Sequence, residues 1–132
     1  MRAFGAMPPL VRAMAKSSLR RIVYDRSHVT DAVVRGYTEP LLRPGTAACL
    51  AKMARDARAT PLAEIGRISA PTLVSSGADD TVVPPATGEG IAAKIPGARH
   101  LVIERSGHLV PEERPDEFVA AVLAFERESA GA

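Results

Sequence analysis

The chain has 132 residues, 46% hydrophobic and 24% charged with aromatics at 4%, a balance that fits one globular domain and excludes disordered and fibrous classes. One cysteine, Cys49, excludes an intrachain disulfide, and no apolar run approaches the roughly 18 residues that would span a bilayer. The net charge of +2 hides an asymmetry, with twelve Lys or Arg against five acids in residues 1–70 and five against ten in residues 71–132.

The basic half does not read as a nucleic-acid surface. Its arginines are scattered from Arg12 to Arg67 with little aromatic interleaving and no binding motif, so a solvated helical face is expected. Arg12 and Lys16 interrupt any signal-peptide core. With nothing pointing to an oxidising compartment, a cytoplasmic location is expected, with no membrane or nucleic-acid partner.

Met1 to Met7 carries no structural signal. From Pro8, suited to a first helical turn, the spacing of Leu10, Val11, Met14, Leu19, Ile22 and Val23 predicts an amphipathic helix with Arg20 and Arg21 exposed. Tyr24 to Val29 reads as a loop. Thr30 is an expected N-cap, with Asp31 favourably placed in the first turn of a helix that carries Val33, Val34 and Tyr37 and ends or kinks at Pro40. Pro44-Gly45 is a turn. Thr46 then caps a third helix holding Leu50 and Met53 that frays near Ala59-Thr60, and Cys49 is expected to be a small buried hydrophobe. Leu62, Ile65 and Ile68 lead into the next segment.

From Pro71 the pattern changes. Thr72 to Val74 is β-rich and runs into Ser75, Ser76 and Gly77, after which Asp79, Asp80 and Pro84-Pro85 mark a loop. A helix is predicted over Ala86 to Ile95 and a turn at Pro96-Gly97. A strand over His100 to Glu104 follows, whose continuous Leu101-Val102-Ile103 suits a parallel strand buried on both faces. Ser106-Gly107-His108 forms the next loop. Pro115 opens a last helix with Asp116 and Glu117 in its first turn and Phe118, Val119, Val122, Leu123 and Phe125 on its apolar side; Glu126 to Ala132 is expected to fray.

Strand, helix and strand at this length form a right-handed βαβ unit with parallel strands, so both following loops leave the same edge. Neighbouring strands lie about 4.8 Å apart. Asp80 and His108, each a few residues beyond its strand, can therefore meet at the carboxyl edge, where open α/β sheets hold their ligands. An aspartate there can accept the Nδ1 hydrogen of the imidazole and leave Nε2 to take a proton.

Pro71-Thr72-Leu73-Val74, Gly77-Ala78-Asp79-Asp80 with Val82-Val83-Pro84, Ser106-Gly107-His108 and Glu113-Arg114-Pro115 together resemble the C-terminal third of an α/β-hydrolase. The resemblance implies that Asp80 is the triad acid, rather than Asp79, and that His108 is the general base. Val29-Thr30-Asp31, Arg35-Gly36-Tyr37, Pro40-Leu41-Leu42 and Pro44-Gly45 are similar to the cap of epoxide-hydrolase-like and haloalkane-dehalogenase-like members. The expected organisation is a helical cap segment over residues 1–60 and the C-terminal part of the core, βαβα, over residues 61–132.

The sequence departs from the family in one essential respect. Neither Gly-x-Ser-x-Gly nor its Asp or Cys variants occurs, and no wording for an oxyanion hole is present. Ser75, Ser76 and Ser106 lie at no recognisable elbow and read as strand and loop residues, as do His28 and His100. The expected protein is thus a C-terminal portion of a hydrolase that attacks a small ester, epoxide or related apolar substrate, without metal or cofactor and inactive as this chain alone. The alternative is a noncatalytic module, or one half of a two-chain hydrolase, that binds a partner or a second copy through an exposed sheet edge.

Overall fold

A computed structural model describes residues 9–59 and 64–131, with the side chains of 57–59 left undescribed. The helices are α1 (Pro9–Ile22), α2 (Asp31–Thr38), α3 (Thr46–Ala59), α4 (Pro85–Ala92), α5 (Val110–Glu113) and α6 (Pro115–Ala130), and the strands are β1 (Leu73–Gly77) and β2 (Arg99–Ile103). They fall into two compact units, one holding residues 9–19 and 29–59 and the other 20–28 and 64–131. Pro8, Thr60 and Leu62, invoked above, lie outside the described residues.

In the first unit α2 begins as its sequence dictates. Thr30 Oγ1 accepts the Val33 N–H at 3.3 Å, satisfying an amide that the first turn leaves orphaned. Asp31 lies 3.0 Å from Lys16 and 3.1 Å from Arg12. The Lys16 hydrogen bond and charge, with Arg12 beside them, hold its carboxyl below the ordinary range. Val34 is fully buried, and Thr38 is buried with its hydroxyl donating to the Val34 carbonyl at 2.6 Å. Pro40 does end the helix, opening a 3₁₀ turn over Pro40–Leu42. At the following turn Gly45 has φ +86°, a left-handed conformation that suits glycine.

Two expectations for this unit need correction. Thr46 is the first residue of α3, and its hydroxyl donates to the Pro40 carbonyl at 3.1 Å. Cys49 is exposed, not buried. Leu50 and Met53, on the same helix, are exposed as well. Helical periodicity identifies an apolar side but does not supply anything to cover it.

The second unit is built on a parallel pair in register from Leu73 opposite Arg99 to Gly77 opposite Ile103. Strand alternation puts Leu73, Ser75, Leu101 and Ile103 on one face and Val74, Ser76, His100 and Val102 on the other. α4 lies on the second face. There a Cβ on Gly88 would stand 2.3 Å from Ser76 Oγ and 2.7 Å from His100 Nε2, so the missing side chain lets the helix approach the strands. On the first face Arg99 reaches α6, its guanidinium 5.8 Å from the centre of the Phe125 ring and paired with Glu128.

Here too the boundaries differ in instructive ways. β2 begins one residue earlier than expected, because Arg99 N–H donates to the Thr72 carbonyl at 3.0 Å. α4 stops at Ala92, three residues early, and the chain leaves through a turn before Pro96, which has no N–H to continue a helix. The four-residue α5 was not anticipated. α6 holds to Ala130 instead of fraying from Glu126, since Arg99 engages both Phe125 and Glu128 in its last turns. Its apolar side is uncovered at Val119, Val122 and Leu123. Each strand has one edge unpaired among the described residues. No helix among the described residues is long and apolar enough to cross a membrane.

Candidate active site

The loops that follow β1 and β2 are stitched together before any side chain is considered. Ala78 N–H donates to the Ile103 carbonyl and Asp79 N–H to the Ser106 carbonyl, both at 2.9 Å. The approach requires glycine at β1's end. A Cβ on Gly77 would stand 2.1 Å from the Gly107 carbonyl oxygen and 2.5 Å from that of Ser106.

This places Asp80 and His108 side by side. Asp80 Oδ1 accepts the N–H groups of Val82 at 2.8 Å and Val83 at 2.9 Å, a local turn that fixes the carboxylate plane. The other oxygen, Oδ2, lies 2.9 Å from His108 Nδ1. The Asp80 side chain is 7% exposed and that of His108 36% exposed. Burial pushes the Asp80 carboxyl up, but the Val83 amide, the His108 hydrogen bond and the Val82 amide outweigh it and hold the pKa below its ordinary value. An ionised carboxylate only accepts hydrogen bonds, so Nδ1 must be the donor. The neutral imidazole then carries its lone pair on Nε2, where it can take a proton. Among the described residues no hydrogen bond engages that nitrogen.

The histidine loop is held from below. Arg105 turns the chain out of β2 with φ +50°, a left-handed conformation uncommon for a residue with a side chain. Its carbonyl accepts from Arg114 Nε at 3.0 Å. Ser106 is fully buried and its hydroxyl donates to the Ile103 carbonyl at 2.9 Å. His108 N–H donates to the Ile22 carbonyl at 2.7 Å. Glu113, buried at 6% exposure, accepts Gly107 N–H on Oε1 at 2.8 Å and Tyr24 N–H on Oε2 at 2.7 Å.

The remaining candidates separate cleanly. Asp79 is exposed and contributes its backbone to the loop. Ser76 Oγ lies 2.9 Å from His100 Nε2, a serine and histidine on the sheet face beneath α4 and not at the carboxyl edge. Among the described residues neither Ser75, Ser76 nor Ser106 hydrogen-bonds His108. His28 lies in a 3₁₀ turn, 3.8 Å from Asp25. Glu113 had no assigned role in the sequence. Its one legible signal was an acid fixed between His108 and the helix-opening Pro115, while its partner Tyr24 lies 89 residues away.

A family model described as "alpha/beta hydrolase fold" matches residues 21–115. The chain is 31% identical over 116 residues to 2-hydroxy-6-oxo-6-phenylhexa-2,4-dienoate hydrolase of Burkholderia cepacia, covering 83% of this chain and 40% of that protein. It is 45% identical over 58 residues to a putative non-heme bromoperoxidase, BpoC, of Mycobacterium tuberculosis, covering 44% of this chain and 22% of the relative. Among solved structures, the meta-cleavage product hydrolase CumD of Pseudomonas fluorescens superposes with a TM-score of 0.75 at 27% identity, over 94% of this chain and 47% of that one. The chain thus spans less than half the length of the relatives it matches.

Proposed function

The chain belongs to the α/β-hydrolase fold family, and on that premise we propose that Asp80 and His108 are the acid and general base of a hydrolase acting on a small ester or related apolar substrate. The observation that carries this reading is the 2.9 Å contact between Asp80 Oδ2 and His108 Nδ1 at the carboxyl edge of a parallel strand pair, with Oδ1 already held by two amides.

Asp80 keeps the imidazole in the tautomer whose Nε2 is free and stabilises the imidazolium once a proton has been taken. His108 accepts the proton of a serine nucleophile or, in an aspartate-dependent variant, that of the water that opens the covalent intermediate. Relatives described as a rhodomycin D methylesterase and as dienoate hydrolases favour a carbonyl-centred substrate and hence a serine. Residues 1–60 are read as a helical cap segment and 61–132 as the C-terminal part of the core.

The nucleophile and the oxyanion donors are assigned to polypeptide outside these 132 residues, because no Gly-x-Ser-x-Gly or variant occurs here. The free strand edges and the exposed Val119, Val122 and Leu123 of α6 support the same assignment, since they offer edges and apolar surface that further polypeptide would cover. Whether the missing part is joined to this chain or separate, the prediction is the same. The purified chain treated with a serine-directed phosphonate keeps its mass. Stoichiometric labelling would put a competent nucleophile among Ser75, Ser76 and Ser106 and overturn the assignment.

A further inference from the structure

We infer that Glu113 is a positioning residue for His108, acting through the backbone of Gly107. The inference rests on the reading of His108 as the general base and adds a residue on which its alignment depends.

His108 has few constraints of its own. Its side chain is more than one-third exposed, and Asp80 is that side chain's one hydrogen-bond partner among the described residues. The direction in which the imidazole leaves the chain is therefore set by the backbone of the loop. That backbone is anchored at two adjacent amides: His108 N–H to the Ile22 carbonyl at 2.7 Å, and Gly107 N–H to Glu113 Oε1 at 2.8 Å. The second Glu113 oxygen accepts Tyr24 N–H at 2.7 Å, so one buried carboxylate fastens the histidine loop to the strand of chain at residues 22–24.

The packing leaves no slack for another arrangement. A Cβ on Gly107 would lie 2.3 Å from the Ile22 carbonyl oxygen and 2.9 Å from Val23 Cα, so the loop and residues 22–24 are already in backbone contact. Two amide donors converge on the same buried point, and only a group with two acceptor oxygens and no donor satisfies both. Glutamine offers one oxygen and turns an N–H₂ toward the other amide. Aspartate is one methylene short of bridging them. Arg105 and Arg114 line the same small cleft, but Arg114 Nε is committed to the Arg105 carbonyl.

With Glu113 altered, Gly107 must turn to find water and His108 turns with it, away from Asp80 Oδ2. The imidazole then loses the partner that holds the proton on Nδ1. The test is the ¹⁵N spectrum of the His108 ring in the chain and its Glu113→Gln variant at a pH where the ring is neutral. The wild-type ring is expected in the Nδ1–H tautomer. Glu113→Gln is expected to shift the tautomer ratio toward Nε2–H by roughly tenfold, the factor that a charge-assisted hydrogen bond confers, and Glu113→Asp to move it the same way. A folded Glu113→Gln variant with the wild-type tautomer ratio would overturn the inference, even if its stability fell.

Should the variants not fold, amide exchange in the wild-type chain decides: Gly107 N–H protected like the amides of β1 and β2 supports the latch, and exchange at the rate of an open loop overturns it. The ring spectrum does not depend on hydrolysis. Hydrolysis by the longer enzyme that survives His108→Ala would sink the catalytic reading while leaving a tautomer shift intact, whereas a missing shift alone would sink only the role of Glu113.

Discussion

Replacing Asp80 by asparagine keeps the shape of the side chain and removes its charge. The new amide oxygen can still accept from Val82 and Val83, but the amide nitrogen now faces His108 Nδ1 and requires the imidazole to present a lone pair there. The two backbone bonds fall from charge-assisted to neutral strength, a loss of about 1 kcal/mol each, and the contact to the partly exposed His108 adds little, giving about 2 kcal/mol in all at neutral pH. Because the folded-state pKa of Asp80 lies below its ordinary 3.8, the stabilisation is complete above that value and is lost as pH falls through the lower, folded-state value. Urea unfolding followed by circular dichroism at pH 7, 4 and 3 measures it. Wild type should exceed Asp80→Asn by about 2 kcal/mol at pH 7, and the gap should shrink below pH 4. Equal stability at pH 7, or a gap unchanged at pH 3, would mean that the Asp80 charge does not stabilise the loop.

Three glycines and one further aspartate give sharper contrasts by the same unfolding assay. Gly77→Ala drives its methyl into the Gly107 and Ser106 backbone at 2.1 and 2.5 Å, where nothing can rotate away, and should cost about 3 kcal/mol or more. Gly88→Ala meets the Ser76 hydroxyl and the edge of the His100 ring at 2.3 and 2.7 Å; these can move at the loss of their mutual hydrogen bond, so about 1 to 2 kcal/mol is expected. Gly90→Ala, with open space around its Cβ in the same helix, should stabilise by up to about 1 kcal/mol through helix propensity alone. Asp79→Asn, on an exposed side chain, should stay within about 0.5 kcal/mol of wild type, and a loss equal to that of Asp80→Asn would mean that the wrong aspartate has been assigned.

The juxtaposition of Asp80 and His108 was legible because it depends on little. Strand, helix and strand make the strands parallel, parallel strands send both following loops to one edge, and two short loops bring Asp80 within 2.9 Å of His108. Glu113 was not legible as a latch, since its role exists only once residues 22–24 have been folded back beneath Gly107. Periodicity failed wherever it was asked what covers a face. It set Leu50, Met53, Val119 and Leu123 on apolar sides that the structure leaves exposed. Local chemistry did better, with Thr30 capping α2 and Pro40 ending it. α5 escaped notice because four residues carry no period.

Whether His108 serves a nucleophile is decided by phosphonate labelling of the native protein, captured from its source with an antibody raised against α6, in wild type and in a His108→Ala allele. A labelled polypeptide, or a labelled partner, that brings the captured mass to about twice the 13.9 kDa of this chain is expected. Labelling should fall by roughly 10³-fold or more in the allele, the scale on which a triad base acts. An unlabelled 13.9 kDa protein captured without a partner, or labelling that His108→Ala leaves unchanged, would contradict that role for His108.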